Sequence, residues 1–141
     1  MSVKMTATEL MGFLTKAFPQ VADDYKVESV TQDILTMRLM VQERHLRPGR
    51  TVSGPAMFSL ADVSIYLAIL TRTGPRDLAV TTNASIDFMR KPLADCDLIA
   101  KCSLLKLGRM LAVGEVLIYS EGAADPVARA SMTYALPRAA S

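Results

Sequence analysis

The chain has 141 residues, half of them hydrophobic and 21% charged, with a formal net charge of +2. That composition excludes a disordered chain and leaves little room for more than one folding unit. So small a net charge, without a helix-turn-helix, RNP or zinc-finger pattern, excludes general nucleic-acid binding.

The N-terminal run has no continuous apolar core followed by a small-residue cleavage site, so no secretory signal is expected. Thr6-Ala7-Thr8-Glu9 reads as a capping box. Leu10, Phe13, Leu14 and Ala17 keep helical spacing, which predicts an amphipathic packing helix running to about Phe18 and stopped by Pro19. From Ser29 the period changes to two. Leu35, Met37, Leu39 and Val41 alternate with Thr36, Arg38, Met40 and Gln42, the pattern of a strand with one buried face. The polar stretch ERHLRPGRTVSGP follows, with Pro48-Gly49 as its turn signal. His45 reads as a loop residue. Arg44, Arg47 and Arg50 recur every three residues there, as a solvated basic loop or a phosphate contact.

TVSGPAMFSLADVSIYLAIL, residues 51–70, is apolar on nearly every face. Pro55 suits the first helical position, which makes Gly54 the expected N-cap and puts Ser53 just outside; Gly74-Pro75 ends the helix. A helix apolar all round is buried all round. As a membrane span it is marginal, because an aspartate at mid-bilayer is unfavourable by about 2.5–3.5 kcal/mol. A core helix is therefore expected. Four strand-like runs follow: LAVTTNASIDFM (78–89), DLIAKCSLLK (97–106), MLAVGEVLIYS (110–120) and VARASMTYAL (127–136). In the first, Val80, Ala84, Ile86 and Phe88 are expected on one face and Thr81, Asn83, Ser85 and Asp87 on the other. Short connections favour antiparallel neighbours. The expected fold is α+β: an antiparallel sheet curled round a long helix, with an N-terminal helix added. One sheet covers only part of a cylinder, so a second copy of the chain is expected to extend the cover.

Chemistry is expected at two points of this helix. Asp62 has no basic neighbour at helical spacing. It either accepts hydrogen bonds from Ser59, Tyr66 or a distant strand, or it lines a cleft as a base or nucleophile. Gly54 at the helix start presents a backbone N–H in positive potential, which can stabilise an oxyanion. The two lie about 12 Å apart along the axis, too far for one carbonyl to meet both within one chain. If both act, they come from two protomers of a two-fold dimer. Cys96 and Cys102 with one histidine make neither a disulfide framework nor a zinc-ligand set, so no metal is expected, and reduced thiols fit a cytoplasmic protein. A serine-histidine-aspartate triad, a Walker A and a GxGxxG motif are all missing.

The runs RPGRTVSGPAMFSLAD, TTNASIDFMRKP and LLKLGRMLAVGEVLIYSE resemble the hotdog-fold acyl-CoA thioesterases of the PaaI-like, phenylacetic-acid-degradation type, over about residues 31–136. The resemblance implies one hotdog domain over 1–141, with residues 1–28 as helix and lead-in and 29–137 as the core. It implies a homodimer or dimer of dimers with a continuous sheet. The substrate would be a small or medium acyl-CoA, the acyl group aromatic in some relatives, with no cofactor besides the substrate's own coenzyme A and no nucleic-acid or membrane partner. The Gly54 amide would polarise the thioester carbonyl, and Asp62 of the partner chain would activate water or attack directly. Thr81 would orient the water, with Asn83 beside it on the same face. Arg47, Phe88, Arg90, Lys106, Gly108 and Arg109 would contact coenzyme A. Phe58, Tyr66, Met57 and Met89 are candidates for the acyl pocket. Ser53 stands where the family has histidine, Pro55 replaces a second glycine, and Arg47 falls near the family's asparagine. Those departures keep a non-catalytic acyl-CoA or acyl-carrier binding module as the alternative. A hotdog dehydratase would need a catalytic histidine near an acid, which only His45 could supply.

Overall fold

The computed structural model describes residues 3–75 and 79–137. Helix α1 spans Ala7–Ala17, and the capping box forms: the Glu9 amide donates to Thr6 Oγ1 at 3.2 Å and the Thr6 amide to Glu9 Oε1 at 3.0 Å. Leu10 and Leu14 carry its buried face. Strands β1 (Tyr25–Val30) and β2 (Leu35–Leu39) come next, then the short pair β3 (Leu46–Arg47) and β4 (Thr51–Val52). Helix α2 covers Gly54–Thr73, and β5 (Val80–Phe88), β6 (Leu98–Leu107), β7 (Leu111–Ser120) and β8 (Ala128–Ala135) complete the chain. The expected start of the β5 run at Leu78 lies outside the described residues.

Six strands form one sheet in the order β1-β2-β6-β7-β8-β5, every pair antiparallel. Strand β1 is an addition to the reading from sequence, which began the strand period at Ser29. Tyr25 and Val27 face the core, but the register slips between Val27 and Ser29 and breaks the alternation that would have revealed the strand.

The sheet curls round α2, whose Leu60, Ile65, Leu67, Ile69 and Leu70 are fully buried. Although α2 is long and apolar enough to span a bilayer, it is the core helix of this fold. Room for it comes from small residues on β7: Ala112 and Gly114 lie on the inward side, and a Cβ on Gly114 would stand 3.0 Å from two Ile65 carbons. One stripe of α2 stays uncovered by its own sheet. Pro55, Phe58, Ser59, Asp62 and Tyr66 recur there at three- and four-residue spacing, and all are exposed or half-buried. The stripe faces the edge strand β5, which pairs on one side only.

Candidate active site

Asp62 sits on the uncovered stripe, and two strands reach it. Thr81 Oγ1 donates to its Oδ1 at 2.6 Å, and the Tyr134 hydroxyl approaches the same oxygen at 2.6 Å and the Asp62 backbone carbonyl at 2.8 Å. Oδ2 accepts no hydrogen bond among the described residues. Tyr134 is 3% exposed. Burial, then the charge of Asp62, pushes its phenol well above the ordinary tyrosine range, so it keeps its proton and donates. Charge-assisted bonds of this length fix a carboxylate firmly. Ser59, one candidate partner of Asp62, shares a 2.8 Å hydrogen bond with the Tyr25 hydroxyl instead. The distant strands supply the contacts.

Thr81 reaches Asp62 because of a bulge. The register between β5 and β8 pairs Thr81 with Tyr134 but Asn83 with Thr133, with the slip between them. Thr81 therefore faces the helix with Tyr134, while Asn83 falls on the outer face beside Thr133 and is exposed. The expectation that Asn83 stands beside Thr81 on one face is corrected: an extra residue reverses the alternation at that point. Ala84, Ile86 and Phe88 keep the inward side, Phe88 opposite Ala128.

At the start of α2, the N-cap is Ser53, not Gly54. The Ser53 hydroxyl accepts from the Ala56 amide at 3.3 Å, which puts Gly54 at the first helical position and Pro55 at the second. A hydroxyl caps better than a bare glycine, and proline is tolerated through the first turn. Gly54 gains by this: an amide at the first helical position has no intrahelical acceptor and points out of the helix end. The Phe88 ring lies over it, 3.3 Å from where a Cβ would be. Arg47, Gly54, Met57, Phe88, Arg90 and Lys91 line a cavity of about 560 Å³. Arg90 Nη1 donates to the Pro126 carbonyl at 2.8 Å. Arg44 pairs with Asp24, and Arg50 with Asp95 and Glu43, whereas Arg47 has no ion pair among the described residues.

His45 is buried rather than a free loop residue, in a 3-10 turn over Glu43–His45. Its Nδ1 accepts the Gln42 amide at 2.9 Å, which places the proton on Nε2, 3.3 Å from Asp24 Oδ2. Burial, then the charge of Arg44, holds its pKa below the usual histidine value. Nδ1 is thus committed to the turn and Nε2 to Asp24, and the Ser53 amide donates to the His45 carbonyl at 2.8 Å.

A second cavity, of about 470 Å³, opens at Asp62 and is bordered by Phe18, Gln20, Tyr66, Thr81 and Tyr134. The two cavities share no lining residue. Met57 falls in the first and Tyr66 in the second; Phe58 and Met89 line neither. The candidate coenzyme A contacts divide in the same way. Arg47, Phe88 and Arg90 stand at the Gly54 end. Lys106, Gly108 and Arg109 sit at or beside the β6–β7 turn, at the end of the sheet where Ala112 pairs with Tyr134. Thr81 and Phe88 are separated by about 20 Å of strand. Sequence reasoning missed Tyr134. Its signal was a tyrosine in phase with the buried Ala128, Ala130 and Met132, because a phenol on an inward face needs a partner.

None of the curated proteins compared with the chain matches it. Among solved structures, a protein from Silicibacter sp. TM1040 assigned as a thioesterase is 52% identical, with a TM-score of 0.90 over 97% of this chain and 95% of that one. A mutant of the phenylacetic acid degradation protein PaaI from Thermus thermophilus is 28% identical, with a TM-score of 0.71 over 84% of this chain and 99% of that one. A hypothetical thioesterase from Streptococcus pneumoniae, solved with coenzyme A, is 21% identical and shares the fold, with a TM-score of 0.74 over 95% and 98% of the two chains. The sequence profile of the thioesterase superfamily matches residues 49–126, from the loop before α2 through β7. A long apolar helix wrapped by an antiparallel sheet, a carboxylate midway along it and this match together place the chain in the thioesterase superfamily, with the hotdog fold of its PaaI-like members.

Proposed function

We propose that the protein hydrolyses acyl-CoA thioesters as a homo-oligomer, with Asp62 of one protomer working against the Gly54 amide of its partner. The observation that carries this reading is a carboxylate that, among the described residues, is held through Oδ1 by Thr81 and Tyr134 while Asp62 borders a cavity. In the proposed step Asp62 takes a proton from water as the water oxygen bonds to the thioester carbonyl carbon. The partner's Gly54 N–H holds the developing oxyanion. The carbon–sulfur bond then breaks, and the proton passes to the departing thiolate of coenzyme A. Direct attack by Asp62 is the variant of this step in which the carboxylate forms an anhydride that water then opens. Arg47, Arg90, Lys106 and Arg109 offer cations to the phosphates of coenzyme A, and Phe88 an aromatic face. Asn83 belongs to the outer face and has no part in this scheme. A dimer that continues the sheet would cover the α2 stripe. Cys96 and Cys102, both free thiols, fit a reducing cytoplasm.

Asp62→Ala and Asp62→Asn are expected to lower kcat by about a hundredfold or more on the best substrate of a short, medium and aromatic acyl-CoA panel. Circular dichroism and melting temperature should stay near wild type. Turnover surviving in Asp62→Ala overturns the mechanism. The second reading, a module that binds acyl-CoA without hydrolysing it, is favoured by one observation: the Ser53 hydroxyl is engaged as a helix cap. Saturable coenzyme A binding with no hydrolysis across the panel decides for it.

A further inference from the structure

The two cavities differ in charge. The one at Gly54 is lined by Arg47, Arg90 and Lys91, with no carboxylate among its described lining residues. The one at Asp62 has no cation among its described lining residues, which include Ala17, Phe18 and Gln20, from the end of α1 and the residues after it, together with Val63 and Val80. In the proposed dimer, where Asp62 of one protomer meets Gly54 of its partner, these cavities would adjoin and give one substrate a cationic end and an end whose described lining holds no cation. The polyanionic coenzyme A suits the first and an uncharged acyl group the second.

We infer that Phe18, on the border of the Asp62 cavity, is the residue that limits the acyl group. The inference rests on the thioesterase reading of the site. Phe18 is 43% exposed, although large aromatic side chains are normally used for burial. Its backbone, in contrast, is tied three times: its amide donates to Leu14 O at 2.7 Å, and its carbonyl accepts from Val21 and Ala22 at 3.2 Å each. A ring held on a fixed backbone at the border of this cavity is a stop. It is supplied by a segment outside residues 49–126, the part of the chain that matches the superfamily profile. The substrate class that follows is an acyl group with a compact, uncharged far end. An acyl group ending in a carboxylate would carry a second negative charge into a cavity whose described lining holds Asp62 and no cation.

The test uses the full-length protein with straight-chain acyl-CoAs of increasing length and succinyl-CoA, in wild type, Phe18→Ala and Phe18→Trp. Affinities for S-alkyl-CoA thioethers of the same lengths are measured in parallel. Phe18→Ala is expected to move the kcat/KM optimum to longer chains, raising the long-to-short ratio by roughly tenfold or more, and Phe18→Trp to move it to shorter ones. Thioether affinities should shift the same way, and succinyl-CoA should stay the poorest substrate of its length. Identical length profiles in all three proteins overturn the inference. If wild type hydrolyses nothing, the thioesterase reading fails by itself, and the thioether profiles still decide the role of Phe18. The ring is not part of the core, so both variants should fold; a melting curve checks this.

Discussion

At the scale of single residues, the chemistry depends on how Asp62 is held. Thr81 and Tyr134 both donate hydrogen bonds to Oδ1. They are positioning residues. Hydrogen bonds to a charged group are worth about 1.5–3 kcal/mol, and the tyrosine that makes one of them is only 3% exposed. Tyr134→Phe keeps the ring and its stacking on Tyr66, at 6.3 Å between centroids, and removes the donor. The expected result is a kcat lower by roughly tenfold with KM little changed, since the carboxylate wanders while the substrate cavity keeps its shape. Thr81→Val should act in the same direction, and the double variant should lose less than the product of the two, because both bonds restrain one oxygen. Steady-state kinetics on one substrate would show it. If Tyr134→Phe raises KM and spares kcat, the tyrosine is part of the substrate wall rather than a brace.

At the scale of elements, α2 packs closely on β7. Gly114 lies against Ile65, with Ile65 carbons 3.0, 3.0 and 3.3 Å from the position of an added Cβ, and Ile65 is fully buried. Gly114→Ala should therefore destabilise the fold by about 1–3 kcal/mol by overpacking, read as a lower denaturant midpoint. Ile65→Ala should be destabilising alone yet partly compensate Gly114→Ala, because one change makes the space that the other needs. An unchanged midpoint in Gly114→Ala would mean that the helix sits more loosely on the sheet. Elements as regular as α2 and β6–β8 were legible from the sequence because burial enforces period and caps mark ends. What was not legible came from single-residue slips. The register break at Val27 hid β1, and the bulge after Thr81 put Asn83 on the outer face. The choice between Ser53 and Gly54 as N-cap turned on one hydroxyl that could serve either as a cap or as a catalytic group. Asp62 stood out because a carboxylate in an apolar helix is conspicuous. Tyr134 did not, 72 residues further on, because an inward tyrosine in a strand looks like core until its partner is seen.

At the scale of the whole molecule, the question is where the two halves of the site meet. Within one chain they open into separate cavities, Asp62 in one and Gly54 in the other. Two deficient chains should therefore complement each other. Gly54→Pro removes the amide donor at a helical position that tolerates proline, and Asp62→Ala removes the carboxylate. Each homo-oligomer should be inactive. Co-expressed with different affinity tags and purified through both, the mixed dimer pairs the intact Asp62 of one chain with the intact Gly54 of the other at one site of two. About half the wild-type rate per dimer is expected. Gly54→Ala serves as the control, since it crowds the Phe88 ring at 3.3 Å in a similar way but keeps the N–H. It should retain more activity than Gly54→Pro. If the mixed dimer is as inactive as its parents while Gly54→Ala remains active, the carboxylate and the amide act within one chain. The separation of about two helical turns would then have to be bridged by a movement of α2 itself.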